Sequence, residues 1–197
     1  MTDVLPHTLR VDARENRDRV LDAARELFAE RGVDVTMREI ARHAGVGPAT
    51  LYRRFPTKRA LIDEAFADEM RACRRIVVDG HAEPDPWHGF CSVIEGITAL
   101  NARNHGFVDA FLSANPEFEA IGAHRASLFR MLADLAARAQ RAGYLRSDFV
   151  MDDLLLVLMA GRSLTFARPE QRARAATRFA RLAIDALREP GRRSPQP

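Results

Sequence analysis

The segment Val35–Leu61, VTMREIARHAGVGPATLYRRFPTKRAL, constrains this chain more tightly than any other stretch of it. Its punctuation fits two short helices, a tight glycine turn between them and the start of a third helix. Thr36 and Glu39 stand at the Thr-x-x-Glu spacing of a capping box, which predicts a helix beginning at Met37. Ile40, Ala41 and Ala44 give that helix an apolar face, and Gly45 lets the chain leave it through a left-handed turn. Gly47 then serves as N-cap and Pro48 as the first helical residue, where a missing N–H costs nothing. Leu51 and Phe55 fall at i and i+4 on the inner face of the second helix, and Pro56 stops it. Pro48, Ala49, Thr50, Tyr52, Arg53 and Arg54 are left facing outward, an arrangement suited to a helix lying in the major groove of DNA.

The charges agree. Between Val35 and Ala60 six cations (Arg38, Arg42, Arg53, Arg54, Lys58, Arg59) face one acid, Glu39, a net of +5. The 197-residue chain carries only +3, so the remainder sums to −2. A basic segment on a near-neutral body is the electrostatic footprint of a phosphate-binding surface. A solvated helix face is the ordinary fate of such a run, but here charge coincides with helix–turn–helix punctuation.

The pattern Leu27-Phe28-x-x-x-Gly32, Thr36-x-x-x-Ile40-Ala41-x-x-Ala44-Gly45-Val46 and Leu51-Tyr52-x-x-Phe55-x-x-Lys58-x-x-Leu61 closely resembles the DNA-binding domain of the TetR family of bacterial transcriptional regulators. The resemblance covers roughly Arg17–Phe66; the rest is similar to that family only in length and helical character. It implies that Lys58 grips one DNA phosphate, that the hydroxyl of Tyr52 grips another, and that Arg38 reaches a base edge or a phosphate. The candidate DNA-contacting set is Thr36, Arg38, Gly47, Pro48, Ala49, Thr50, Tyr52, Arg53, Arg54 and Lys58. Because Gly47–Thr50 are small, Arg53 and DNA shape are expected to carry much of the specificity.

Elsewhere helical periodicity runs almost end to end and strand signals are scarce, which predicts an all-α fold of about nine helices. Residues 1–15 read as a flexible segment, 16–56 as the helix–turn–helix domain, 57–189 as a helical ligand-binding and dimerisation domain, and 190–197 as a Pro- and Arg-rich disordered tail. The first helix is expected over Asn16–Arg31 and a long fourth one from a Thr57 cap to Asp79-Gly80. Asp85-Pro86 opens a fifth, and a short sixth covers His105–Ser113. A seventh follows the Asn115-Pro116 break and runs to Ala142-Gly143. An eighth, capped by Asp148, covers Phe149–Thr165, and a ninth runs from Pro169 to Glu189. No apolar run reaches the roughly 18 residues of a membrane span, and the polar start lacks a secretory core, so a cytoplasmic protein without membrane contact is expected. Cys73 and Cys91 form no metal-ligand spacing and read as buried thiols.

One helix–turn–helix unit contacts too few base pairs to select a genomic site, so such modules act as two-fold dimers on palindromic double-stranded operators. The eighth helix is apolar all round. Leu154, Leu158 and Gly161, with Phe179 and Leu182 of the ninth, are the candidate homodimer residues, and the resemblance implies a four-helix bundle there. It also implies a small-molecule effector cavity in the middle of the chain. Phe66, Met70, Trp87, Phe90, Ile94, Phe107, Phe111 and Phe129 are candidate lining residues; Phe118 also counts among the aromatics, and periodicity alone reads all of them as plain core. Asn101, Asn104, His105, Asp109 and His124 are polar candidates to orient a ligand. His81, Glu83, Asp85 and His88 fall in a Pro-broken loop rather than at i, i+4, which favours a solvated loop over a metal site. No P-loop, nucleophile elbow or dinucleotide fingerprint occurs, so no catalytic residue and no cofactor is assigned. The expected function is a dimeric repressor released by a small, largely apolar or aromatic ligand. The alternatives are a constitutive or architectural DNA binder and a helical enzyme carrying a DNA-binding module.

Overall fold

Helix α1 (Leu5–Arg31) sets one face of the N-terminal packing, with Val20, Leu21, Ala24, Leu27 and Phe28 buried along a single stripe. The computed structural model describes residues 5–102, 107, 111, 119–161 and 168–191. Helix α1 begins at Leu5 rather than Asn16, so residues 5–15 of the segment expected to be flexible are helical. Pro6 lies in the first turn, where its missing N–H is tolerated. Against α1 pack α2 (Met37–His43) and α4 (Lys58–Ala65), while α3 (Pro48–Arg54) packs on α2.

The long fourth helix expected from Thr57 onward is two helices. Phe66 leaves helical geometry (φ −107°, ψ 13°), ending α4 and starting α5 (Ala67–Ala82). The break leaves the Ala65 carbonyl to accept from Arg25 Nε of α1 at 2.9 Å. Periodicity missed it because the buried positions Leu61, Ile62, Ala65, Phe66, Cys73 and Val77 keep helical phase through the kink. The acidic pair Asp68 and Glu69 in the first turn of α5 is the local signal of a new helix start.

Helix α6 (Pro86–Asn101) is the centre of the larger unit, in contact with α5, α7 (Glu119–Arg141), α8 (Met151–Gly161) and α9 (Pro169–Leu187). Gly80 does not end α5; it lets α5 and α6 touch. A Cβ on Gly80 would stand 2.4 Å from Val93 Cγ2, and one on Gly89 would stand 2.2 Å from the Gly80 carbonyl oxygen. Asp85 caps α6 by accepting from the backbone N–H groups of Trp87 (2.9 Å) and His88 (3.2 Å). Arg138 of α7 donates to the carbonyls of His81 and Glu83, each at 2.9 Å, and so closes the end of α5. His81 itself meets Asp134 at 3.0 Å, so the loop residues weighed as a metal cluster hold helix ends together.

Helix α8 is capped by Asp153, not Asp148: the Asp153 carboxylate accepts from Val150 N–H (3.1 Å) and from Arg146 (3.0 Å), and both hold its pKa below the usual range. Among the described residues there are nine helices and no strand, only an isolated antiparallel bridge between Leu145 and Arg188. The sixth helix expected over His105–Ser113 lies largely outside the described residues, although Phe107 and Phe111 are helical. Asn104, His105, Asp109, Phe118 and the tail beyond Gly191 lie outside them too, as does the side chain of His124. Among the described residues no helix is long and apolar enough to cross a membrane.

Candidate DNA interface and effector cavity

The helix–turn–helix is built by local chemistry at each boundary. Thr36 N–H donates to Glu39 Oε2 (2.9 Å), Glu39 N–H donates to Thr36 Oγ1 (3.3 Å), and the Thr36 hydroxyl donates to Glu39 Oε2 (2.8 Å). With Arg31 of α1 donating at 2.7 Å as well, these bonds hold the Glu39 carboxyl down to about 2. The far end of α2 closes through Gly45 (φ +66°), with Val46 N–H reaching back to Ala41 O and Gly45 N–H to Arg42 O. Gly47 and Pro48 open α3, and Thr57 caps α4 through Ala60 N–H at 3.1 Å.

Leu51 and Phe55 pin α3 to the core, and its outer face carries Pro48, Ala49, Thr50, Tyr52, Arg53 and Arg54, all exposed. Thr36, Arg38 and Gly47 are exposed on the same unit, and Lys58 stands half-buried at the first turn of α4. Among the described residues Arg38, Arg42, Arg53 and Arg54 form no ion pair, so this face keeps its positive charge for an external anion.

A cavity with ≈ 30 Å³ of free volume lies among α5, α6, α7 and α8. Its wall is Cys73, Val77, Ile97, Asn101, Phe107, Phe111, Leu128, Phe129, Leu132 and Leu158. Of the candidate lining residues it therefore gathers Phe107, Phe111 and Phe129. Trp87, Phe90 and Ile94 are not in the wall: they are buried nearer the N-terminal end of α6, where Trp87 stacks with Phe90 and Tyr144 and lies under the Arg188 guanidinium. Met70 is half-buried on α5 outside the wall. Phe66 stands behind it, in ring contact with Phe107 at 5.9 Å and with Phe28 of α1 at 5.8 Å. Apart from Leu158, the remaining wall residues come in helical i, i+4 pairs (Cys73/Val77, Ile97/Asn101, Leu128/Leu132), a signal no different in sequence from ordinary core. Burial pushes the Cys73 and Cys91 thiols up to about 12, so both stay protonated.

The family model for bacterial regulatory proteins of the tetR family matches residues 20–65, and that for the C-terminal domain of SbtR-like transcriptional regulators matches residues 85–189. The chain belongs to the TetR family of bacterial transcriptional regulators. It is similar to the HTH-type transcriptional repressor KstR2 of Mycobacterium tuberculosis, 31% identical over 144 residues, which cover 69% of this chain and 72% of the relative. The solved structure of that organism's ketosteroid transcriptional regulator KstR2 shares the fold, with a TM-score of 0.63 at 24% identity over 87% of this chain and 94% of the other. The TetR-family regulator PfmR of Thermus thermophilus shares it with a TM-score of 0.64 at 20% identity over 85% and 98%.

Exposure shows where the candidate homodimer residues stand. Leu154 and Leu158, candidates for that interface, are buried in the subunit's own core, and Leu158 belongs to the cavity wall. Gly161 does allow close approach, but of Phe179 from the same chain, whose ring lies 3.5 Å from a Cβ built there. Among the described residues of α8 and α9 the large apolar side chains that reach solvent are Leu156 (63% exposed), Met159 (49%) and Leu182 (53%), with Phe179 half-buried beside Gly161. An all-apolar helix carries no phase, so sequence could not say which leucines face α6.

Proposed function

We propose that this TetR-family protein is a cytoplasmic, dimeric repressor that leaves a palindromic operator when a small, largely apolar or aromatic molecule occupies the cavity. The observation that carries the DNA-binding part is the outward face of α3, held by Leu51 and Phe55 and ringed by exposed arginines. In this reading Tyr52 and Lys58 take phosphates, Arg38 and Arg53 reach base edges, and the small residues Gly47–Thr50 let the backbone approach the groove. Repression, rather than activation, follows the name of the M. tuberculosis relative. The dimer forms through the exposed face of α8 and α9 around Leu156, Met159 and Leu182. The DNA-binding unit then runs through α4 to Ala65 instead of ending at Pro56, because α4 packs on α1.

Ligand control requires a path from cavity to α3. The wall phenylalanines Phe129, Phe111 and Phe107 are in successive ring contact (6.4 and 5.6 Å), and Phe107 continues through Phe66 to Phe28. A molecule displacing Phe111 would press on the junction of α4 and α5. One observation favours a second reading, a constitutive binder: the phenylalanines leave room for little more than a water or two. Footprinting DNA upstream of the protein's own gene, followed by a screen for compounds that release it, tests both. A palindromic footprint that no compound relieves would favour the constitutive binder, and the lack of any footprint would sink the DNA-binding assignment.

A further inference from the structure

Two flanks border the buried face of α2, and the described contacts tie down only one of them. Met37, Ile40, Ala41 and Ala44 pack inward. At about 100° per residue, Glu39 and His43 share one flank, and Arg38 and Arg42 share the other. The Glu39 carboxylate accepts from Arg31 at 2.7 Å and His43 meets Glu26 at 2.9 Å, so both residues of the first flank are held to α1. Two such contacts one turn apart fix the rotation of α2 about its own axis and turn the second flank away from α1. Arg38 and Arg42 stand exposed there, about 6 Å apart along the axis, and neither forms an ion pair among the described residues.

We propose that Arg42 takes a DNA phosphate, which extends the contact surface from α3 onto the free flank of α2. The inference rests on the reading of this unit as DNA-binding. In a helix–turn–helix the first helix crosses the DNA backbone while the second lies in the major groove, so a cation on the outward flank of the first helix meets phosphate rather than base. An arginine without an ion pair in its own chain gives up water and counter-ions on meeting a phosphate, and sacrifices no internal salt bridge. Arg42 and His43 also stand in the last turn of α2, where positive charge complements the carbonyl end of the helix. That role alone would cost stability when the charge is removed and leave the salt dependence of DNA binding unchanged. A phosphate contact does the reverse.

The test titrates Arg42→Gln, Arg42→Lys and Arg74→Gln with a labelled mixed-sequence duplex, and with the palindrome footprinted upstream of the gene, over a range of salt. Glutamine and lysine match arginine closely in helix propensity, so the variants should unfold within about 2 °C of the parent. Arg42→Gln should lower the salt slope by about 0.9 for each bound protomer, equally on both duplexes. From counter-ion release alone that is roughly a fivefold loss per protomer at about 0.15 M salt. Arg42→Lys should restore the slope, because a phosphate accepts an ammonium as a point charge. Arg74, exposed on α5, controls for net charge, and Arg74→Gln should leave the slope as it is. An unchanged slope in a folded Arg42→Gln, an equal fall in Arg74→Gln, or a loss confined to the palindrome overturns the Arg42 assignment and leaves DNA binding standing. Early unfolding of Arg42→Gln with the parental slope overturns it too, since the charge would then serve the helix end. A parent that binds neither duplex sinks the DNA-binding reading itself.

Discussion

Leu156→Glu tests the proposed dimer by separating folding of the chain from its assembly. Leu156, Met159 and Leu182 are 63%, 49% and 53% exposed, and covering those exposed parts on two protomers is worth about 5–10 kcal/mol before entropic costs. Two-fold symmetry places the substitution in the interface twice. Each copy forfeits about 1–2 kcal/mol of leucine burial and adds a carboxylate that must be desolvated. The total is at least about 4 kcal/mol, a thousandfold in the dimer dissociation constant. Within one subunit the same change sits in water and should stay within about 0.5 kcal/mol. Leu158→Asp is the control, because its charge enters the subunit core beside the cavity and should cost more than about 3 kcal/mol of folding stability. Sedimentation equilibrium, thermal unfolding at low protein concentration and operator titration are read together. Leu156→Glu should be monomeric, folded and weak on a palindrome, whereas Leu158→Asp should melt early. A Leu156→Glu protein that dimerises like the parent would refute the proposed face.

Lys58→Ala should weaken binding to specific and nonspecific DNA alike and lower the salt slope by about one, and a folded variant with an unchanged slope would take Lys58 out of the interface. Arg38→Ala should relax one symmetric pair of operator positions by about 1–3 kcal/mol; an equal loss on every sequence would make Arg38 a phosphate contact instead. The Glu39 carboxyl is held below its ordinary 4.5, at about 2, by the Thr36 backbone and hydroxyl and by Arg31. Its contribution is present in full above pH 4.5 and is lost as pH falls towards 2. Glu39→Gln should therefore lose less stability than the parent across that window, and parallel acid-unfolding curves would remove Glu39 as a contributor.

The helix–turn–helix was legible almost to the residue because each boundary is written in short-range chemistry. A capping box fixes the start of α2, a left-handed glycine its end, and Gly47-Pro48 the start of α3. The middle of the chain has no such marks. Trp87 and Phe90 look like cavity residues by size, yet they lie roughly 17–21 Å along α6 from Asn101 at 1.5 Å per residue. Bulk does not say which end of a helix holds a void. The wall residues with the plainest side chains, Val77, Ile97, Leu128 and Leu132, are chosen by where four helices fail to meet, and that is a tertiary property. The same holds for α8, where only the position of α6 decides that Leu154 and Leu158 turn inward and Leu156 and Met159 outward.

The break at Phe66 changes how ligand control would have to work. A single rigid helix from Thr57 to Gly80 would act as a lever, turning any shift near Cys73 into a swing of Lys58. Two helices meeting at a non-helical residue do not transmit torque that way, because the junction can absorb it. The junction here is nonetheless clamped: Phe66 is fully buried between Phe28 and Phe107, Arg25 holds the Ala65 carbonyl, and Arg17 pairs with Glu64. Arg25 and Arg17 tie α4 to α1, and Phe66 ties the junction to α1 through Phe28 and to the cavity wall through Phe107. Pressure from the cavity through Phe107 would therefore move α1 to α4 as one packed unit about the junction. The helix–turn–helix would keep its internal geometry while its orientation on the larger unit changes. Such a rotation alters the spacing of two recognition helices in a dimer, which is what operator affinity depends on. A ligand can drive it only by binding the rotated state better, and couplings of about 1–3 kcal/mol are the usual scale. The clamps on α4 and the ring contacts behind the cavity wall are thus where substitutions should change ligand response while leaving the DNA-contacting face as it is.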